Sequence, residues 1–198
     1  MSKTSVANEA LILLGNTTLS DIDSDTNTEA KVATLAFNST RKDLLRLHPW
    51  NFAIKRISIA ASATDPVFRY DKAYPVPGDF LRCIVVDQVL DWKLEVNNNA
   101  LSILCDASSP IKLKYVADIT DDTKWDASFH KCFVYKLAAD MSYALIPDEN
   151  LRKGIWNTYL IQLDIARSID GQEDIEDNWG VNRGTFIDVR SDYDVWSG

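Results

Sequence analysis

No apolar run in this sequence approaches the ~18 residues that a membrane span requires. The opening residues, MSKTSVANEA, also lack the apolar core of a secretory signal. Both absences predict a soluble chain made and kept in the cytoplasm. Cysteine is scarce: Cys83, Cys105 and Cys132 are odd in number, far apart and each set in an apolar run. They read as reduced core residues, which excludes a disulfide frame or a zinc cage. Basic charge is in deficit, 21 residues against 29 acidic ones for a net charge of −8, which argues against a basic face wrapped on nucleic acid. Histidine occurs only as His48 and His130. With no His-x-x-His, CxxC, GxSxG, Walker or GxGxxG pattern, the chain shows no metal cage, nucleophile elbow or phosphate cradle.

What is present is folding capacity. At 198 residues and 46% hydrophobic, the chain can bury a core without covalent staples. Its charge is uneven: 21–29 and 170–194 are acidic, whereas Arg41, Lys42, Arg46, Lys55 and Arg56 bring basic charge to the middle. Such asymmetry fits solvated faces and subunit contacts.

Helical spacing opens the chain, with Val6, Ala10, Leu13 and Leu14 on one face and Gly15 as the stop. A second helix follows DIDSDTNTEAK, where Thr26 and Glu29 fit a capping box. Its face carries Ala30, Ala33, Phe37, Leu44 and Leu47, with Arg41, Lys42 and Arg46 facing elsewhere. Pro49 has no amide and disfavours helix in the residue before it, so this helix ends at about Leu47.

From Phe52 the pattern becomes strand-like. Phe52 and Ile54 share one parity and Ile57, Ile59 and Ala61 the other, so a bulge near Lys55 and Arg56 is expected. Further strands are expected at 67–70, 81–89, 92–96, 100–104 and 111–116, with a hairpin turn at Asn97, Asn98 and Asn99. Helix returns near Asp126, with Phe129, Phe133, Leu137, Met141 and Ala144 in line, and stops before Pro147. A last helix has Asp148 as N-cap, Leu151, Ile155, Tyr159, Leu163 and Ala166 in line, and Gly171 as C-cap. Two long helices joined by a tight turn pack antiparallel.

The fold class expected is α+β in a single domain. Segments 1–48 and 118–170 form a mainly antiparallel helical bundle, 49–117 an inserted antiparallel β lobe, and 171–198 an extended C-terminal docking tail. Pro49, Trp50 and Phe52 mark the structural junction, with the two aromatics as anchors that fix the angle between bundle and lobe. Trp179, Phe186, Tyr193 and Trp196 lie along the acidic tail. Disordered tails are depleted in aromatics, so these four read as anchors for a partner or a neighbouring copy, the alternative being a tail that wraps its own domain.

Candidates for chemistry are few. Asp21, Asp23, Asp25 and Asn27 are spaced like a calcium loop, but its turn glycine falls on Thr26 and its closing glutamate on Val32. A solvated loop feeding a capped helix fits better. His48 reads as a donor to the last carbonyls of its helix. Among the 29 acids, Asp140 lies between apolar turns of its helix and is the first to inspect for burial, with a pair to Lys136 one turn earlier as the structural explanation. A carboxylate-pair glycosidase has no identifiable location.

One resemblance adds to this reading. SVANEALILLG, then TEAKVATLAFNSTRKDLLRLHPWNFA, then YPVPGDFLR, then KYVADITDDTKWDASF occur in an order and spacing that resemble the tail tubular protein A family of tailed bacteriophages. The same pattern is similar to the head-to-tail adaptors, or tail accessory factors, of short-tailed phages. It covers about residues 5–165, with HPWNFA and YPVPGDFLR its most specific pieces.

The resemblance implies a non-enzymatic virion protein made in the host cytoplasm. It would form a twelvefold homo-oligomeric ring between the portal protein and a tail nozzle or tail tubular protein B-like component. Such rings bind the portal after packaging, help retain the genome and continue the channel for DNA ejection. No cofactor is implied, no membrane, and DNA passes through without specific binding. An acidic chain suits a conduit that repels phosphate. Two alternatives stand beside it: a virion-associated polysaccharide or cell-wall hydrolase, and a head-completion connector of a long-tailed phage.

Overall fold

The computed structural model describes residues 2–173 and has an α+β architecture of four helices and two small antiparallel sheets. Helix α1 spans Lys3–Leu13 and α2 Thr28–Leu47. Six strands follow: β1 Ile54–Ile59, β2 Lys72–Pro75, β3 Phe80–Val86, β4 Lys93–Asn97, β5 Ala100–Cys105 and β6 Ile111–Ala117. Helices α3, Ala127–Leu145, and α4, Glu149–Gln172, complete the described chain.

Local chemistry explains the helix ends. Gly15 takes φ +70° just past α1, and the N–H groups of Gly15 and Asn16 donate to the carbonyls of Ile12 and Leu11. This pair of bonds is a Schellman stop, and a left-handed residue there favours glycine. At α2 the cap is Asn27, not Thr26: the Asn27 side chain accepts the Ala30 N–H at 2.9 Å. Asp126 and Asp148 cap α3 and α4 through their carboxylates. Gly171 does not end α4, which runs on to Gln172 because no left-handed residue interrupts it.

Two helical faces differ from the spacing. On α2 the buried side chains are Ala30, Ala33, Phe37, Thr40, Arg41, Leu44 and Leu45, while Leu47 lies half in solvent. On α3 Ala144 is exposed, and Cys132, Val134 and Ala138 join the buried face. The wide face follows from position, since α3 packs against α1, α2 and α4 together.

The sheets are β1-β6-β3 and β2-β5-β4, all pairs antiparallel. Strand β1 pairs with β6 without interruption from Ile54 opposite Val116 to Ile59 opposite Ile111, so no bulge sits at Lys55 and Arg56. Phe52 breaks parity because Asn51–Ala53 is a 3₁₀ turn, which resets the side-chain direction before the strand starts. The irregularities lie in β3 instead, where the register against β6 shifts between Phe80 and Arg82 and between Cys83 and Val85. Residues 67–70 form no strand: Arg69 takes φ +75°, and pairing begins at Lys72. Asn98 and Asn99 do make a two-residue turn, at φ +47° and +63°, between paired Asn97 and Ala100.

One continuous core joins the helices to both sheets. It includes Leu44, Trp50, Tyr74, Ile103, Leu113, Tyr115, Phe129, Phe133, Leu137 and Tyr159. A small second cluster, Tyr70, Ala73 and Leu104, lies on the second sheet. Among the described residues no helix is long and apolar enough to cross a membrane.

Candidate assembly site at the junction

The stretch from His48 to Phe52 joins α2 to β1, and each of its side chains has a distinct task. Trp50 is fully buried, and its indole N–H donates to the Leu44 carbonyl at 2.9 Å. That carbonyl is one of the last four of α2, which have no partner inside the helix. Trp50 thus performs the capping service expected of His48. Its ring meets Phe129 edge-on at 5.0 Å, and Phe52 meets the same Phe129 at 4.8 Å. Trp125, Phe133 and Phe37 continue the aromatic contacts inward. Pro49 is half-buried at the break in the backbone.

His48 turns instead to α4. Its Nε2 lies 2.9 Å from Asp170 Oδ2, while the Asn51 N–H donates to Asp170 Oδ1 at 3.0 Å. The Asn51 side-chain amide also donates to the Asp170 carbonyl at 2.8 Å. Asp170 is buried and holds the last turn of α4 to the junction. The sequence reading missed it by ending the buried line at Ala166. Asp170 continues the line four residues on, and an acid on a buried helical face was the available signal.

Two further polar clasps bind α2 to its surroundings. Arg41, expected to face outward, is buried and forks onto Asp118, with Nε to Oδ1 at 2.8 Å and Nη2 to Oδ2 at 3.1 Å. Its Nη1 reaches Asn38 at 2.7 Å, which leaves the guanidinium well satisfied. Asp140 accepts from Lys136 at 2.5 Å and from the Thr40 hydroxyl at 2.6 Å. The carboxylate singled out for acid chemistry is therefore engaged on both sides, one partner being the expected Lys136. The Lys136 ammonium also lies 5.7 Å from the ring centres of Trp156 and Tyr159.

The segment at 74–82 closes on the junction from the sheet side. Arg46 donates to the Leu81 carbonyl, and Lys55 Nζ lies 2.6 Å from Asp79 Oδ2. Asp79 Oδ1 accepts the Tyr115 hydroxyl at 3.0 Å. Burial alone would raise the Asp79 carboxyl, but the Lys55 and Tyr115 hydrogen bonds outweigh it and hold it below the ordinary value. The Tyr115 phenol is pushed up to about 12, first by burial and then by its bond to Asp79.

The remaining candidates are occupied locally. In the acidic loop the Asp21 carboxyl accepts from the Ser24 hydroxyl at 2.9 Å, which lowers its pKa. Asp25 accepts the N–H groups of Ser20 and Asp21, and Asp23 pairs with Lys3. Cys132 is buried, its thiol pushed up to about 12 by that burial, and Cys83 is pushed to about 11 for the same reason. Such thiols are poor nucleophiles. Among the described residues no group of three or more acids, histidines or cysteines is placed to hold a metal ion. Trp179, Phe186, Tyr193 and Trp196 lie outside the described residues.

Compared with protein-family models and with curated proteins, the chain matches none.

Proposed function

We propose that this chain is a structural virion protein, a head-to-tail adaptor that forms a ring between the portal and the tail nozzle. The ring closes the portal after packaging and continues the DNA channel. In this reading 1–48 and 118–170 are a helical bundle, 49–117 is a lobe inserted between its two helix pairs, and the tail beyond it carries the aromatic anchors for the portal or an adjacent protomer.

The observation that supports the reading is the meeting of the two stretches most specific to the resemblance. The residues that flank HPWNFA, Arg46 and Lys55, reach YPVPGDFLR at the Leu81 carbonyl and Asp79. With His48 and Asn51 held to α4, Trp50 and Phe52 to Phe129 of α3, and the flanking Arg46 and Lys55 to the sheet side, the junction keeps a fixed angle between helices and sheet. A part that must hold its shape in a ring needs such an angle, and Asp140, the acid first inspected for acid chemistry, is taken up in a structural pair with Lys136.

Electron microscopy of the purified full-length chain with and without a portal ring tests this. A second ring of density stacked on the portal, present only in the mixture, is the expected result. A chain that never associates with a portal, or that releases reducing sugar from polysaccharide, overturns it.

A further inference from the structure

Helix α4 has a second face that the described chain leaves about half in solvent. Leu151, Gly154, Thr158, Ile161, Ile165 and Ser168 follow one another at spacings of 3, 4, 3, 4 and 3, and Ile169 lies beside Ser168. This is the seam pattern of a helix that receives a partner along its length. The line is without charge in a chain that carries −8. Its apolar members stand in solvent, with Leu151 at 43%, Ile161 at 58%, Ile165 at 46% and Ile169 at 38% exposure. The buried line of α4, Ile155, Tyr159, Leu163, Ala166 and Asp170, runs along a different side of the helix. A side-chain carbon placed on Gly154 would meet nothing within 4 Å. Packing inside the protomer therefore gives no reason for a glycine there, although mid-helix glycine costs about 1 kcal/mol relative to alanine.

The chain also supplies an occupant. Residues 174–198 leave from the C-terminal end of α4, next to Ile169, the last apolar member of the line. They carry Trp179, Phe186, Val189, Tyr193 and Trp196 at spacings of 7, 3, 4 and 3, the same 3 and 4 step as the line on α4. From Leu151 to Ile169 the line is roughly 27 Å long at about 1.5 Å per residue. A 25-residue segment extends up to about 80 Å, so it can turn back and cover the whole line. The segment is acidic, with Asp174, Glu176, Asp177, Asp188, Asp192 and Asp194 against Arg183 and Arg190, and it meets no acid on that line to repel it.

We infer that in the free protomer segment 174–198 folds back on its own α4, its aromatic side chains covering the Leu151–Ile169 line. The inference concerns the uncombined chain and stands apart from the ring. If the ring reading also holds, the aromatics leave α4 for the portal, and covering α4 keeps an apolar face from sticking before assembly.

Limited trypsin digestion of the full chain under native conditions tests it, because Arg183 and Arg190 place cleavage sites in the segment. The expected result is slow cleavage at both sites in the parent protein. In Ile161→Asp/Ile165→Asp cleavage should be about tenfold faster, since proteolysis follows the population of the open form. Both positions are solvent-facing, so the melting transition should stay in place. Ser168→Asp, also exposed and adding no cleavage site, gives the same comparison if the double variant does not fold. Parent sites cut as fast as in urea, or an unchanged rate in the variants, overturn the inference. Protection that grows with protein concentration overturns it as well, because the segment is then supplied by a second copy.

Discussion

Replacing Trp50 with alanine is the most direct probe of the junction. The side chain is fully buried, so its removal takes away the contacts with Phe129 and His48 and opens a cavity between α2 and α3. Loss of a buried aromatic costs about 3 to 5 kcal/mol. The Leu44 carbonyl also loses its donor, an additional cost of about 1 kcal/mol if no water reaches it. The sum, about 4 to 6 kcal/mol, is a large part of the 5 to 15 kcal/mol that holds a typical domain, taken as about 10. At roughly 2 to 4 °C per kcal/mol for this size, the melting temperature should fall by about 8 to 24 °C. Urea unfolding followed by far-ultraviolet circular dichroism measures the change without relying on tryptophan emission. Trp50→Phe separates the two contributions, because it keeps most of the apolar area and loses only the N–H and some volume. It should cost about 1 to 2 kcal/mol. A loss below about 1 kcal/mol for the alanine variant would refute the claim that Trp50 anchors the junction.

Asp170→Ala removes the acceptor for His48 and Asn51 and should cost about 1 to 3 kcal/mol in urea unfolding, with faster amide exchange confined to the end of α4 and the turn after Pro49. Arg41→Met leaves the partly buried Asp118 with only Lys42 near it, at 4.0 Å, and should cost about 3 kcal/mol. Adding Asp118→Leu should recover most of that loss in a double-mutant cycle, and additive losses would show that the two residues are not coupled. Stability should decline on the alkaline side. Cys132, raised from 9.0 to about 12, and Tyr115 and Tyr159, raised from 10.0 to about 12, hold their protons more tightly folded than unfolded. Their contribution is whole below about pH 9 and is lost as pH rises toward 12, which pH-dependent unfolding midpoints will show; a flat profile from 9 to 12 is the contrary outcome.

What could be read ahead from the residues was local in origin. The stop of α2 before Pro49, the start of α3 near Asp126, the cap at Asp148 and the turn at Asn98 and Asn99 each depend on neighbours within a few positions. Errors arose where a distant group decided the outcome. Arg41 looks like a solvent residue until Asp118, 77 positions away, takes its guanidinium. His48 and Asp170 are 122 positions apart, so no spacing rule joins them. Phe52 looks like strand because its parity matches Ile54, and a three-residue turn imitates that parity. The aromatic character of the junction was plain in the sequence. That Phe129 receives both Trp50 and Phe52 was not, because helix spacing gives a face and no partner.

The clasp between Asn51 and Asp170 also bears on synthesis. The two residues are separated by 119 positions, and ribosomes add about 5 to 20 residues per second, so Asn51 waits roughly 6 to 24 s for its acceptor. Helix α3, which carries Phe129, arrives well past the middle of that interval, and until then Trp50 lacks its Phe129 contact. Through most of translation the first two helices therefore present an unfinished apolar face to the cytosol. The described fold is complete only once α4 has emerged, and a holdase able to cover Trp50 and Leu44 during that interval would raise the yield.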